Sequence, residues 1–262
     1  MRRKAGELEE KLRAKRDAGR KLLVTYVTAG MTPDWLEVVQ ALVAAGADAV
    51  EIGIPFSDPM IDGPTIQRAS VMALDGGATP VGILGSLRHS ELGVPLVVMT
   101  YYNLVFRAGH RRFAGSLAES GVSGAIVVDL PLEEAGEWCN EADAARVETV
   151  LLVAPSTPDE RAARICARSR GFVYGVGLMG VTGERAQLGA SATGVARRLK
   201  QMTDLPVCVG IGVSTPAQAA EVCAEADGVV VGSALVRRLI DGAGPQGVAE
   251  LVAELRSGID AA

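Results

Sequence analysis

The stretch "LLVTYVTAGMTPDWLEVVQALVAAGADAVEIG", residues 22–53, holds the unit from which the rest of the chain can be read. Residues 22–30 form an apolar, Val-containing run that ends on Gly. Residues 32–47 then carry apolar side chains at helical spacing behind a Thr-Pro pair and stop beside Gly46, which are the signals of a helix start and a helix end. A second apolar run follows at 48–53. Hydrophobicity in both runs is continuous rather than alternating, as in strands covered on both faces within a parallel sheet. The stretch reads as strand, helix, strand.

Similar runs recur at "PLVVMTYY" (95–102), "GAIVVDLP" (124–131), "TVLLVAP" (149–155), "GFVYGVG" (171–177), "PVCVGIG" (206–212) and "DGVVVGSA" (227–234). With the first two, they make eight candidate strands. Helical spacing returns between them, for example at 109–122 and 215–226. Eight strands, each followed by a helix, predict an α/β chain folded as a (β/α)8 TIM barrel with an additional N-terminal helix. A doubly wound open sheet is the alternative, because one sequence does not reveal strand order. No low-complexity linker or composition shift interrupts the chain, so a single TIM-barrel domain over residues 1–262 is expected. Its parts are an N-terminal helix at about 2–19 covering the barrel floor, the barrel at about 22–240 and a C-terminal helix at about 245–258.

The net charge of -5 and the lack of a Lys/Arg cluster on any strand or loop exclude a nucleic-acid footprint. The N-terminal basic residues alternate with acids, as on a solvated helix. The segment has no apolar run of signal-peptide or bilayer length, so a cytoplasmic protein is expected. Cys139, Cys166, Cys208 and Cys223 lack C-x-x-C spacing and fall in apolar patterns, which predicts buried free thiols. His89 and His110 lie in helix or loop segments, where solvated or helix-terminal roles are expected.

A barrel of this kind builds its site at the C-terminal ends of the strands. None of Lys4, Lys11, Lys15, Lys21 and Lys200 falls there, which removes the nucleophile of a Schiff-base aldolase. No His falls there either, which disfavours a metal-dependent aldolase or epimerase. Metal-free carboxylate chemistry remains. Glu51, inside "AVEIGIP", faces either the barrel mouth or a helix. A buried acid is costly unless paired or neutral, and burial raises its pKa toward the range useful for proton transfer. A Glu satisfied by a backbone or hydroxyl partner is the alternative. Asp58 and Asp62 in "PFSDPMIDGP" are equally compatible with turn formation. Asp129, ending the fourth run, either caps the following helix or supports the site.

The last two strands end on Gly in "GIGVSTP" (210–216) and "VGSALV" (231–236), and Gly232-Ser233 opens a helix. Either glycine alone reads as a tight turn. Together they point to a phosphorylated ligand held by backbone N–H groups and a helix N-terminus. The segment 177–194 reads as a mobile loop long enough to close over a ligand, or as a plain connection. Tyr174 just before it sets a phenol near the mouth or packs in the core.

Taken together, "VEIGIPFSDPMIDGPTIQ", "MTYYNLVF", "VVDLPLEE", "GFVY", "GVTG" and "DGVVVGSALV" resemble the tryptophan synthase α-subunit family from about Leu22 to Leu239. The first motif is highly specific, since the Glu, "PFSDP" and "DGPTIQ" occur together in order. The resemblance implies a lyase of tryptophan biosynthesis that cleaves indole-3-glycerol phosphate, reversibly and by a retro-aldol step, to indole and glyceraldehyde 3-phosphate. It implies Glu51 as general acid/base, Asp62 as the carboxylate that addresses the indole N–H, and Tyr174 as an assistant near the glycerol chain. Gly183, Gly212, Gly232 and Ser233 are implied to bind phosphate, Thr182 to order the lid over Asp62, and Tyr101 and Ile211 to contact substrate. The implied partner is a β subunit in an α2β2 heterotetramer that carries pyridoxal phosphate and receives the indole, with no cofactor implied in this chain. Contacts are implied for Pro55, Ser57, Asp58, Pro59, Asn103 and Phe106, with the prolines limiting the conformations of the loop that carries Asp62. Ile61 stands where the family often has Ala, Gly177 where Ser is usual and Ile211 where Phe is common. A free-standing lyase that releases indole, or a mainly regulatory subunit, are the competing readings.

Overall fold

The structure, a computed structural model, describes residues 5–88, 90, 92–177, 185–210 and 212–261, and of residues 185–192 only the helix they form. The strands are β1 (Leu22–Thr28), β2 (Ala49–Gly53), β3 (Leu96–Thr100), β4 (Val122–Val127), β5 (Glu148–Thr149), β6 (Leu151–Val153), β7 (Val173–Val176), β8 (Val207–Gly210) and β9 (Gly228–Val231). All pair in parallel, in the order β5-β4-β3-β2-β1-β9-β8-β7-β6. The two ends of that order, β5 and β6, are joined in the chain through Val150 alone, whose N–H donates to the Ala125 carbonyl. They are the lower and upper halves of one barrel strand. The sheet therefore curls back on itself into a nearly closed parallel barrel, and the reversal of order that defines a doubly wound sheet is absent among the described strands.

The helices are α1 (Glu7–Asp17), α2 (Trp35–Ala44), α3 (Pro64–Asp75), α4 (Pro80–Leu87), α5 (Tyr102–Ala108), α6 (His110–Glu119), α7 (Gly136–Ala144), α8 (Asp159–Arg168), α9 (Arg185–Lys200), α10 (Pro216–Glu225), α11 (Ser233–Ile240) and α12 (Gly244–Asp260). Two of them begin on Thr-Pro as the sequence suggests. Thr79 and Thr215 cap α4 and α10, accepting from the N–H groups of Gly82 and Gln218, and Pro follows at the first turn of each. At Thr32-Pro33 the helix waits until Trp35.

Two hydrophobic cores result from the period-2 alternation of the strands. Outward residues such as Leu23, Val50, Ile52 and Val98 pack against helix residues such as Val38, Leu42 and Leu117. Inward residues Leu22, Val24, Ala49, Val97, Ile126, Val150, Phe172, Cys208 and Val230 fill the barrel, together with Leu8 and Leu12 of α1. Helix α1 thus covers the N-terminal end of the barrel. Leu8 seats on Gly171, where a Cβ would lie 2.5 Å from its Cδ2. Glu148 holds the helix start by accepting from the N–H of Leu8 at 2.7 Å and that of Glu9 at 3.2 Å.

Three expectations change. The segment 177–194 is not a loop throughout, because α9 begins at Arg185; its internal glycines obscure a helical face that buries Val195, Ala196 and Leu199. The third run, expected as a strand over 95–102, ends as one at Thr100, and Tyr102 opens helix α5. Asp129 caps the helix of the preceding strand rather than the one that follows it: its Oδ1 accepts from the Tyr102 N–H at 2.6 Å, at the start of α5. The four cysteines are buried free thiols. His110 opens α6 and is nearly buried, with its ring nitrogens near the Tyr102 hydroxyl (3.0 Å) and Glu137 (3.1 Å). His89 lies outside the described residues. No helix among the described residues is long and apolar enough to cross a membrane.

Candidate active site

Strand β2 decides the direction of its acid. Ala49 faces the barrel interior, and with a period of two so do Glu51 and Gly53. Glu51 is fully buried, and neither carboxylate oxygen has a hydrogen-bond partner among the described residues. Without a partner, burial alone pushes its pKa up to about 8. A carboxyl in this setting is predominantly protonated near neutrality.

Glu51 lines a cavity of about 180 Å³ with Asp62, Tyr174, Gly212, Gly232 and Ser233, together with Tyr26, Ile66, Met99, Gly210 and Val230. These residues come from β1, β2, β3, β7, β8 and β9, from the loops that follow β2, β8 and β9, and from the first turns of α3 and α11. Six of the residues singled out from the sequence are therefore brought together in one place. No Lys, Arg or His is among the described residues that line it. Thr182, Gly183 and Ile211 lie outside the described residues.

Asp62 hangs from the loop that follows β2. That loop turns back on itself through the Asp62 N–H to the Pro59 carbonyl at 3.1 Å, and the Gln67 side chain clamps the Asp62 carbonyl at 2.8 Å. Burial raises the Asp62 pKa, and a hydrogen bond from Tyr101 opposes the rise. Tyr101 grips the loop, accepting from the Ile61 N–H at 3.2 Å and stacking on Phe56 at 4.9 Å between ring centres. Burial, with the charge of Asp62 beside it, pushes the Tyr101 phenol up to about 12. It stays a donor.

Tyr174 faces inward from β7, and its phenol passes across β8. A Cβ on Gly210 would lie 2.5 Å from the Tyr174 hydroxyl, so this position has no room for a larger residue. Burial, then the neighbouring Glu51 carboxylate, raise the phenol's pKa well above the usual value. On the far side of the cavity, Gly212 has φ +78°, a conformation that other residues adopt at a cost. Gly232 caps α11, and Ser233 is its first residue. No acid occupies the first turn of α11, and Arg237 and Arg238 stand in its last. The unpaired N–H groups and dipole of that turn favour an anion at Gly232–Ser233. The cavity thus has a neutral buried acid at one wall and an anion-favouring turn at another.

Tyr26 and Met99 were not singled out from the sequence. Tyr26 shares the inward parity of Leu22 and Val24, and pairing strands 22–30 and 48–53 would have set it beside Glu51; the observed register is Tyr26 opposite Glu51.

Outside the cavity, the loop after β2 and helix α5 present an apolar face. Met60, Ile61 and Phe106 are 89%, 59% and 64% exposed. Ser57, Asp58 and Asn103 are exposed, and Pro59 is partly so. Pro55 is buried, so its side chain does not belong to this face.

The family model described as "Tryptophan synthase alpha chain" matches residues 12–258. The chain is 46% identical over 260 residues to the tryptophan synthase alpha chain of Streptomyces coelicolor, covering 96% of both chains. Among solved structures it is similar to a tryptophan synthase chain from Mycobacterium tuberculosis, with TM-score 0.90 and 41% identity over 98% of this chain and 99% of that one. It is also similar to the tryptophan synthase alpha subunit of Legionella pneumophila, with TM-score 0.89 and 32% identity over 99% and 100% of the two chains.

Proposed function

This chain belongs to the tryptophan synthase alpha chain family, and from that premise we propose how its cavity carries out the family's lyase reaction. The protein cleaves indole-3-glycerol phosphate to indole and glyceraldehyde 3-phosphate and works with a β subunit that takes up the indole. The observation that carries the assignment of roles is the Glu51 carboxyl, buried and without a partner among the described residues, across one cavity from the Gly232–Ser233 turn.

Indole leaves poorly as a carbanion. Protonation at ring C3 converts it into an indoleninium cation, which accepts the electron pair of the breaking carbon–carbon bond. Glu51, protonated near neutrality because its pKa is about 8, delivers that proton. The resulting carboxylate then removes the proton of the hydroxyl on the adjacent carbon as the bond breaks and the aldehyde forms. Glu51 ends the cycle protonated. Asp62 accepts the ring N–H and stabilises the cation, a charge-assisted contact in a site shielded from water. The Tyr174 hydroxyl assists beside the glycerol chain. The phosphate rests on Gly212, Gly232 and Ser233; the family resemblance adds Gly183 for the phosphate, Thr182 for ordering the lid and Ile211 for the substrate.

Ser57, Asp58, Pro59, Asn103 and Phe106 are the proposed contacts with the β subunit. Tyr101 then links partner and chemistry, because it holds Ile61, on the exposed face, and Asp62, in the cavity, at once. A partner that fixes this loop fixes the carboxylate that must meet the indole N–H. The test is steady-state cleavage of indole-3-glycerol phosphate by the purified chain, with and without a β subunit. Weak turnover that rises strongly with β is expected. Turnover that ignores β would point to a free-standing lyase, and none in either condition would refute the assignment.

A further inference from the structure

Tyr26 is a second phenol in the cavity, and the roles assigned above do not use it. Its ring begins against Gly232, where a Cβ would lie 3.2 Å from the Tyr26 Cβ, and leans from β1 toward β2. A Cβ on Gly53 would clash with its hydroxyl. The residue thus spans from the anion-favouring turn to the end of the strand that carries Glu51, and its hydroxyl stands one inward-facing position above the acid. A larger residue at Gly53 would displace it.

The hydroxyl is oriented. Thr28, two residues on and fully buried, shares a 3.2 Å hydrogen bond with it. Each hydroxyl has one proton and two lone pairs, so when Thr28 donates, the Tyr26 proton is free to point into the cavity. Burial raises the phenol's pKa, with smaller contributions from Asp62 and Glu51, and keeps it a donor. A neutral donor between an acid and an anion site suits a neutral acceptor on the chain that connects them.

We propose that the Tyr26 hydroxyl, oriented by Thr28, is a specificity-determining contact that donates a hydrogen bond to a hydroxyl of the substrate's glycerol chain. The inference rests on the reading of the cavity given above, in which phosphate and reacting carbon occupy the Gly232 and Glu51 ends. It predicts discrimination for hydroxylated over dehydroxylated chains of equal length, since a site built to bond a hydroxyl binds the analogue without one less well.

The test compares wild type, Tyr26→Phe and Thr28→Val in the presence of a β subunit. Two quantities are measured: kcat/KM for indole-3-glycerol phosphate, and Kd for an indole-3-propyl phosphate that lacks both hydroxyls. Tyr26→Phe keeps the ring on Gly53 and Gly232 and removes only the hydroxyl. The expected result is a fall of about tenfold in kcat/KM with the Kd of the dehydroxylated probe unchanged within about twofold. Thr28→Val is expected to move kcat/KM in the same direction by less, because it acts through Tyr26. Equal losses on both ligands would reduce Tyr26 to packing and overturn the contact, as would an unchanged kcat/KM. Failure of the wild type to cleave its substrate would instead overturn the functional reading, and the contact with it.

Discussion

Glu51→Gln should separate the protein's stability from its activity in a pH-dependent way. In the folded chain the acid has no partner among the described residues and a pKa of about 8, against an ordinary value of 4.5. Because its folded pKa is raised, the unfolded chain binds fewer protons at this site between those two values. The stability associated with the neutral acid is fully present below about pH 4.5 and is lost as pH rises through about 8. Gln has nearly the same shape and does not ionise, so the variant lacks this loss. At about 1.4 kcal/mol per pH unit, the stability of Glu51→Gln relative to wild type should grow by about 4 kcal/mol between roughly pH 5 and 8.5. The assay is urea denaturation of both proteins in parallel at a series of pH values, so that every other titrating group cancels in the difference. The same variant should show no detectable cleavage while still binding a phosphate-bearing analogue. A stability difference that stays constant within about 1 kcal/mol across that range would refute a buried, unpaired carboxyl, and with it the physical basis for a proton donor here.

The activity of the wild type should itself fall as pH rises past about 8, where Glu51 loses the proton it must deliver, and also at low pH as Asp62 becomes protonated; a kcat/KM profile checks both limbs. Asp62→Asn should lower kcat by about 10²–10³ with little change in binding of a phosphate analogue, the scale of losing one stabilising group at the transition state. Gly210→Ala forces a methyl to within 2.5 Å of the Tyr174 hydroxyl and should lower kcat/KM about tenfold with the thermal transition of the fold retained. Phe106→Asp, at a position 64% exposed, should weaken association with a β subunit about tenfold or more in a titration and leave turnover at saturating β near the wild-type level.

Much of this architecture was legible because the strands are continuous apolar runs. Covered on both faces, a parallel strand need not alternate, and each barrel strand stands out against its helix. The same property hid which face each side chain takes. Nothing in "AVEIGIP" says whether Glu51 or Val50 looks inward; that follows only from the register of β1 with β2 and the side on which α1 plugs the barrel. The contacts that Tyr101 and Asp129 make escaped the sequence for a related reason. Both act across the gap between neighbouring strands, Tyr101 on the loop after β2 and Asp129 on the helix after β3, and the spacing of residues along one segment carries no signal for a neighbour's loop.

Buried carboxylates make the limit clearest. Asp48, Asp227 and Glu148 stand at the N-terminal ends of their strands and are at most 3% exposed, as buried as Glu51 in practice. Each is satisfied. Asp48 accepts from the Leu23 N–H, Lys15 and Arg256; Asp227 accepts from the Val207 N–H and Lys200; Glu148 holds the start of α1. These partners are remote in sequence, up to 208 residues away for Arg256. Asp48 and Glu51 are three residues apart in one apolar run, yet the first ties β1, α1 and α12 together and the second lines the cavity at the barrel mouth. Burial alone therefore does not separate a structural acid from a reactive one; the inventory of donors does. Asp48→Ala should then cost about 1–3 kcal/mol of stability by leaving the Leu23 N–H without its acceptor, while Arg256 keeps Asp260 and the Lys21 carbonyl, measured by denaturation, with kcat/KM preserved in the folded protein. Loss of turnover without loss of stability would mean that the floor of the barrel reaches the chemistry at its mouth, and the division between a satisfied base and a reactive rim would fail.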